Sequence, residues 1–186
     1  GKNGVGKTTL IRMIMSGHPK IKVANGVRIG YFSQNLDTLT PEDSILDNIM
    51  RDSYQPEWVV RTILARLLFK RDDVHKKVGV LSGGERVKAS IAKLLVSEAN
   101  LLILDEPTNC LDIFSMEALQ SVLMEYEGTI LLVSHDRWLV DKIADRIIVI
   151  ENCRARTLQE SYTQYLRRKD DSKSVPHQND GVNLKE

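Results

Sequence analysis

The sequence lacks long hydrophobic runs, has few cysteines and carries almost no net charge. Its longest apolar runs, at 101–104, 130–133 and 147–150, are far shorter than the 18 or more residues of a membrane-spanning helix. The two cysteines, Cys110 and Cys153, have no cysteine or histidine at metal-ligand spacing, which favours a reduced, cytoplasmic compartment. A net charge of +1 argues against a protein that binds polyanions through overall charge, although it allows a local basic patch.

The 186 residues suit one globular domain in which helices and strands alternate. Apolar spacing predicts helices at 8–15, 116–126 and 138–144 and through much of 41–95, with Ser82 capping the last helix of that range. Strands are predicted at 27–32, 101–104, 129–134 and 146–150. This order predicts an α/β fold with a mostly parallel sheet and a small helical subdomain at about 41–95. A polar composition after Leu166 predicts a disordered tail at 167–186.

The first eight residues fit the phosphate-binding pattern G-x-x-x-x-G-K-[ST] at every position. They are Gly1, Lys2, Asn3, Gly4, Val5, Gly6, Lys7 and Thr8, followed by Thr9. Glycines let backbone N–H groups surround the phosphates, the lysine adds a positive charge, and the threonine hydroxyl is suited to Mg²⁺. We therefore predict that residues 1–9 bind ATP, with Mg²⁺ as cofactor.

Two acidic residues follow the apolar run at 101–104. Because ligands bind at the carboxyl ends of strands in open α/β sheets, Asp105 and Glu106 are expected beside the nucleotide. Asp105 is predicted to hold Mg²⁺ together with Thr8, and Glu106 to orient or deprotonate the attacking water.

A second anion site is predicted where Ser82, Gly83, Gly84 and Glu85 begin a helix. A helix N-terminus with two glycines offers backbone N–H groups to a phosphate. Since one domain already has its own phosphate loop, this second site indicates a second nucleotide shared between two domains.

The order of these motifs resembles that of ABC-type ATPase domains over residues 1–150. The resemblance implies that Ser82–Glu85 is the signature serving the ATP of a second ABC domain. It also implies that Gln34 contacts the metal and the attacking water, that Asp112 belongs to the D-loop, and that His135 contacts the γ-phosphate. The catalytic set is then Glu106, His135 and Gln34, and the metal ligands are Thr8, Gln34 and Asp105.

Finer features resemble the ABC-F subfamily. Asp105-Glu106-Pro107-Thr108-Asn109 precedes Cys-Leu-Asp, with Cys110 replacing the usual histidine, and the signature ends in glutamate. The resemblance implies a soluble protein with two ATPase domains that acts on ribosomes and ribosomal RNA, in some members protecting translation from antibiotics. The 47 residues between Gln34 and Ser82 favour the second of the two domains. Because the sequence starts at the first glycine of the phosphate loop, we expect a partial chain without the N-terminal strands.

Two other functions stay open. The domain is alternatively the ATPase subunit of a membrane transporter, or a module that binds without hydrolysing, although Lys7, Gln34, Glu106 and His135 are all present. A basic cluster at Arg61, Arg66, Lys70 and Arg71 is either a solvated face or a contact for ribosomal RNA. Tyr162 and Tyr165 are predicted to lie on a C-terminal helix that packs on the domain.

Overall fold

A three-stranded parallel sheet lies at the centre of the protein. The computed structural model describes residues 6–33, 38–151 and 154–174. The strands β1 (Ile29–Phe32), β2 (Leu101–Asp105) and β3 (Thr129–Val133) are ordered β1-β2-β3, and both pairs are parallel. Leu102, Ile103 and Leu104 of the central strand are fully buried, as expected for a parallel strand covered on both faces. The predicted α/β fold with a parallel sheet is confirmed.

Seven α-helices are present in the described residues. They are α1 (Lys7–Met15), α2 (Ile45–Met50), α3 (Glu57–Arg66), α4 (Gly83–Leu95), α5 (Ile113–Met124), α6 (Arg137–Ile143) and α7 (Tyr162–Ser174). Short 3₁₀ turns at Asp73–His75 and Val78–Val80 lie between α3 and α4. The connection from β1 to β2 thus contains α2, α3 and α4, whereas α5 alone connects β2 to β3.

The helical segment between β1 and β2 has apolar side chains that join the main core. Ile45, Ile49, Val60, Leu64 and Leu67 are fully buried and belong to the same cluster as Leu102 and Leu104 of β2. The division of the chain into an ATPase core and a helical subdomain at 41–95 stays a prediction, because the two share this cluster.

The predicted strand at 146–150 exists but does not belong to the parallel sheet. It is β4 (Ile147–Glu151), which pairs antiparallel with β5 (Arg154–Leu158) in a separate two-stranded sheet. Val149 is buried whereas Ile148 is exposed, so only one face of β4 contacts the core. A four-residue apolar run does not distinguish this half-exposed strand from one buried on both faces, which is why the prediction was wrong.

The chain beyond Leu166 continues as a helix. The start of α7 is held on α6, because the backbone N–H of Thr163 donates to Asp141 Oδ1 (3.0 Å) and its hydroxyl donates to Oδ2 (2.9 Å). The expectation of a helix containing Tyr162 and Tyr165 is therefore confirmed, and the prediction of a disordered tail is wrong for residues 167–174. Residues 175–186 lie outside the described residues.

Candidate functional site

The first helix begins without a side-chain cap. Its N-cap residue, Gly6, has φ = 104°, a left-handed conformation that disfavours residues with a Cβ. The amides of the first turn of α1, which includes Lys7, Thr8 and Thr9, have no intrahelical acceptor and so point out of the helix end. This geometry suits the predicted phosphate site, although Gly1–Val5 lie outside the described residues.

Asp105 ends the central strand close to the phosphate loop. It is largely buried, and burial raises the pKa of Asp105 above its usual value, while the positive charge of Lys7 opposes part of that shift. The effect of Lys7 places its charge near the Asp105 carboxyl, so the structure brings these two predicted residues together.

Glu106 and His135 meet at the same edge of the sheet. Parallel pairing places Asp105 beside Val133, so the residues that follow β2 and β3 are neighbours. The backbone N–H of Glu106 donates to Val133 O (2.8 Å), and that of His135 donates to Glu106 Oε2 (3.1 Å). His135 Nε2 lies 3.3 Å from Glu106 Oε1, without the alignment of a hydrogen bond. The predicted proximity of these two residues is therefore present.

The backbone of Glu106 is unusual for this residue type. Its φ is 54°, which lies in the left-handed region, and the residue is largely buried. Glu106 Oε1 is buried and has no hydrogen-bond partner among the residues described. A buried carboxylate oxygen with free acceptor capacity is suited to holding a water molecule. Gln34, predicted to act with this pair, lies outside the described residues.

The signature segment forms a capping box at the start of α4. Ser82 Oγ accepts a hydrogen bond from the N–H of Glu85 (3.2 Å), and the Glu85 carboxylate accepts one from the N–H of Ser82 (2.8 Å). These bonds also lower the pKa of Glu85. The predicted cap at Ser82 is confirmed, and the amides of Gly83 and Gly84 are left without intrahelical acceptors. The motif therefore offers fewer N–H groups to a phosphate than the sequence predicts.

The glycines of the signature pack against the segment after β2. A Cβ built on Gly84 would lie 2.7 Å from the carbonyl oxygen of Cys110, so only glycine fits there without movement of the backbone. Asp112 caps α5 by accepting from Ser115 N (2.8 Å), which is the main cause of its lowered pKa. Sequence analysis assigned Asp112 to the D-loop without predicting this cap.

The signature residues line a shallow depression of about 350 Å³. The depression is lined by Ser82, Gly83, Gly84, Glu85, Lys88, Cys110, Asp112 and Ser115. None of Lys7, Asp105, Glu106 or His135 lines it, so within this chain the phosphate-loop residues and the signature form two separate surfaces. A larger groove of about 500 Å³, between α5 and α6, contains none of the predicted site residues.

Two buried contacts missed by the sequence analysis hold the segment that follows Gln34. The Asn48 side chain accepts from Thr40 N (2.7 Å) and donates to Thr40 O (2.9 Å), while Lys93 Nζ donates to Thr38 O (2.8 Å). Lys93 also pairs with Asp52 at 2.9 Å. An asparagine and a lysine on helices carry no local signal for such contacts, because their partners are distant in sequence.

The predicted basic cluster is partly neutralised by neighbouring acidic residues. Arg66 forms a bidentate pair with Glu125, with both N–O distances 2.6 Å, and Arg61 Nε lies 2.7 Å from Glu57 Oε1. This pairing favours the solvated-face interpretation over a contact for RNA.

The donor set fits a magnesium ion that is bound together with a nucleotide. No group of three or more His, Cys, Asp or Glu side chains suitable for a metal occurs among the described residues. Mg²⁺ usually takes only one or two protein carboxylates, and phosphates and water complete its octahedron. The Thr8 hydroxyl and the Asp105 carboxylate match this chemistry, and their role as ligands stays a prediction.

In the parts of the chain that the structure describes, no helix has the length and apolar character needed to cross a membrane. The sequence profile of the ABC transporter family matches residues 1–109. Over 91% of its length the chain is 39% identical to the ATP-binding protein YdiF of Bacillus subtilis, and over 94% it is 34% identical to the ABC transporter F family member 5 of Arabidopsis thaliana. It spans about a quarter of each of these relatives, 27% and 26%.

One solved structure adds a similarity of fold. It is the complex of an archaeal ribosome recycling factor, aABCE1, with the archaeal ribosomal stalk protein aP1. A chain of that complex superposes with a TM-score of 0.72 at 26% identity, covering 92% of this chain and 35% of that one.

Proposed function

Because this chain belongs to the ABC transporter family of ATPases and its relatives are ABC-F-type ATP-binding proteins, we propose that it binds and hydrolyses ATP as half of a nucleotide-driven clamp on the ribosome. The observation that carries the catalytic part is the buried Glu106 carboxylate beside His135. Proteins of this family bind ATP. Hydrolysis by this chain, Mg²⁺ dependence, a cytoplasmic location and the ribosome as target are parts of the proposal.

The residues divide the work of phosphoryl transfer between them. Lys7 and the uncapped amides of α1 bind the phosphates, and Thr8 and Asp105 would hold Mg²⁺, which neutralises charge on the phosphate oxygens when bound. Glu106 accepts a proton from the attacking water through the oxygen that has free acceptor capacity. The His135 backbone holds the other oxygen at 3.1 Å, and the half-exposed imidazole faces the γ-phosphate. Gln34 is proposed to contact both water and metal.

A second ABC domain is proposed to complete the site. The signature depression is separate from the Asp105–Glu106 edge, so Ser82 and the amides of Gly83 and Gly84 would serve a nucleotide bound by the other domain. Two ATP molecules then hold the two domains together, and hydrolysis releases them.

Ribosome co-sedimentation of the full-length protein carrying Glu106→Gln tests the proposal. Removing the base leaves ATP bound and the clamp closed, so the variant should pellet with ribosomes only when ATP is present. Lys7→Ala, which loses a phosphate contact, is the matched control and should stay in the supernatant. ATP binding without pelleting would reject the ribosome as target and leave the ATPase subunit of a membrane transporter as the alternative.

Protection of translation from an antibiotic is the most specific form of the proposal. It predicts that the purified protein restores ATP-dependent translation by ribosomes inhibited with an antibiotic. Ribosome binding without such rescue would limit the function to an ATP-switched translation factor.

A further inference from the structure

The depression at the signature contains an exposed thiol. Cys110 is a free, exposed cysteine, and its sulfur lies beside the first turn of α4. A Cβ built on Gly83 would be 3.7 Å from the Cβ of Cys110 and 4.0 Å from its Sγ. Any group attached to this sulfur would therefore cover Ser82 and the two signature glycines.

The same depression contains a buried lysine whose hydrogen-bonding capacity is unused. Lys88 is only 8% exposed, and its Nζ lies 5.0 Å from the centroid of the Phe69 ring. Within residues 6–33, 38–151 and 154–174, its ammonium group has no hydrogen-bond or ion-pair acceptor, although it carries three donors. A buried ammonium is costly unless an acceptor or anion reaches it, so Lys88 points to a ligand in this depression.

The two carboxylates nearest to Lys88 are already engaged elsewhere. Glu85 accepts the N–H of Ser82 at 2.8 Å, and Asp112 accepts the N–H of Ser115 at 2.8 Å and its hydroxyl at 3.2 Å. They lower the net positive potential of the depression without pairing with the ammonium. A ligand carboxylate would thus find Lys88 and the free amides of Gly83 and Gly84 as donors.

We propose that Cys110 is a site of thiol–disulfide exchange with a small disulfide that carries carboxylates, of which oxidised glutathione is the probe. The Cys110 thiolate attacks one sulfur of the disulfide, a bond forms between Cys110 Sγ and that sulfur, and the original S–S bond breaks. The departing thiolate takes up the proton that Cys110 lost, so Cys110 is oxidised and one half of the disulfide is reduced.

The consequence for activity rests on the proposed function. An adduct over the first turn of α4 covers the surface that a second ABC domain would need, so it prevents closure without touching the phosphate loop. Conversely, closure with ATP covers Cys110. Exchange at Cys110 therefore turns the signature into a reversible, redox-sensitive block.

Exchange kinetics on the full-length protein test the site itself. Oxidised glutathione should form an adduct that peptide mass spectrometry maps to Cys110, and Cys110→Ser should remove it whereas the matched Cys153→Ser should not. Lys88→Met keeps the aliphatic stem and removes the charge. It should slow exchange with oxidised glutathione about fivefold, a size typical of one partly screened charge, and leave exchange with neutral hydroxyethyl disulfide unchanged. An unreactive Cys110, or equal slowing with both disulfides, would overturn the proposed site.

ATPase assays on the same samples test the consequence. The rate should fall in proportion to the fraction of Cys110 modified and return after treatment with a reductant, while ATP binding persists. Full activity of fully modified protein would overturn the proposed block. If the untreated protein lacks ATPase activity, the proposed function fails, whereas the mapped adduct and its dependence on Lys88 still decide the exchange site.

Discussion

Two serines cap helices in the same way, but only one lies in the candidate site. Ser82 Oγ accepts from Glu85 N at 3.2 Å at the start of α4, and Ser44 Oγ accepts from Asp47 N at 3.0 Å at the start of α2. Replacing either serine by alanine removes one cap bond, which typically costs about 1 kcal/mol of stability. The pair Ser82→Ala and Ser44→Ala therefore separates the structural role of the cap from the proposed role of the signature.

The two stability losses should be similar. The Glu85 carboxylate binds the backbone N–H of Ser82, a bond that survives removal of the hydroxyl. For a chain of 186 residues, a loss of about 1 kcal/mol corresponds to a decrease in Tm of about 2–4 °C. The ATPase rate should differ, because the Ser82 hydroxyl is a proposed donor to a phosphate. Loss of one hydrogen bond to a charged group should lower that rate roughly tenfold or more.

Thermal unfolding without nucleotide and phosphate release with Mg·ATP measure these two quantities on the full-length protein. Ser44→Ala should lose stability and keep its ATPase rate at a temperature where it is folded. A similar loss of activity in both variants would refute the signature assignment. An unchanged Tm for Ser82→Ala would show that the capping argument is wrong.

Three further predictions concern the sheet edge and the signature glycines. Glu106→Gln should keep ATP binding and lower phosphate release at least about 100-fold, because the amide no longer accepts a proton; a rate near that of the unaltered protein would remove Glu106 from the mechanism. Gly84→Ala should lower the Tm more than Gly83→Ala, since its Cβ would meet Cys110 O at 2.7 Å whereas the Gly83 Cβ would have 3.7 Å; equal values would contradict the close packing. Asp105→Asn should raise stability without nucleotide at pH 7, because burial raises the pKa of Asp105 and its charged form destabilises the folded state. That gain should vanish in denaturant titrations as the pH falls below the usual pKa of aspartate, where the carboxyl is protonated in both states; a gain independent of pH would disprove this reasoning.

The arrangement of the sheet edge was predictable because it depends on local patterns. The apolar runs at 101–104 and 130–133 identify neighbouring buried strands, and parallel pairing then brings the residues after them together. Glu106 and His135 meet for this reason. The left-handed backbone of Glu106 was not predictable, because glutamate has no preference for φ = 54° and tertiary contacts impose that conformation.

The elements that were missed depend on contacts between distant residues. The strand β5 contains Arg154 and Arg156, which interrupt any apolar run, and it is a strand because β4 pairs with it. The helix α7 has a charged sequence and is anchored where Asp141 binds Thr163. Asn48 and Lys93 likewise bind backbone groups outside their own helices. Composition predicts average exposure, and it carries no information about such individual partners.

The two predicted phosphate sites differ in a way that matches their proposed roles. The start of α1 has Gly6 as N-cap and no side-chain cap, so its first-turn amides stay available for a ligand in the same chain. The start of α4 is closed by the reciprocal bonds of Ser82 and Glu85, which satisfy two donors before any ligand arrives. Because only the Gly83 and Gly84 amides and the Ser82 hydroxyl hydrogen remain, α4 is stable without nucleotide and offers fewer donors to it. An end that is stable alone and binds weakly is suited to a contact that must form and break in each cycle, whereas the uncapped end of α1 is suited to holding the nucleotide throughout.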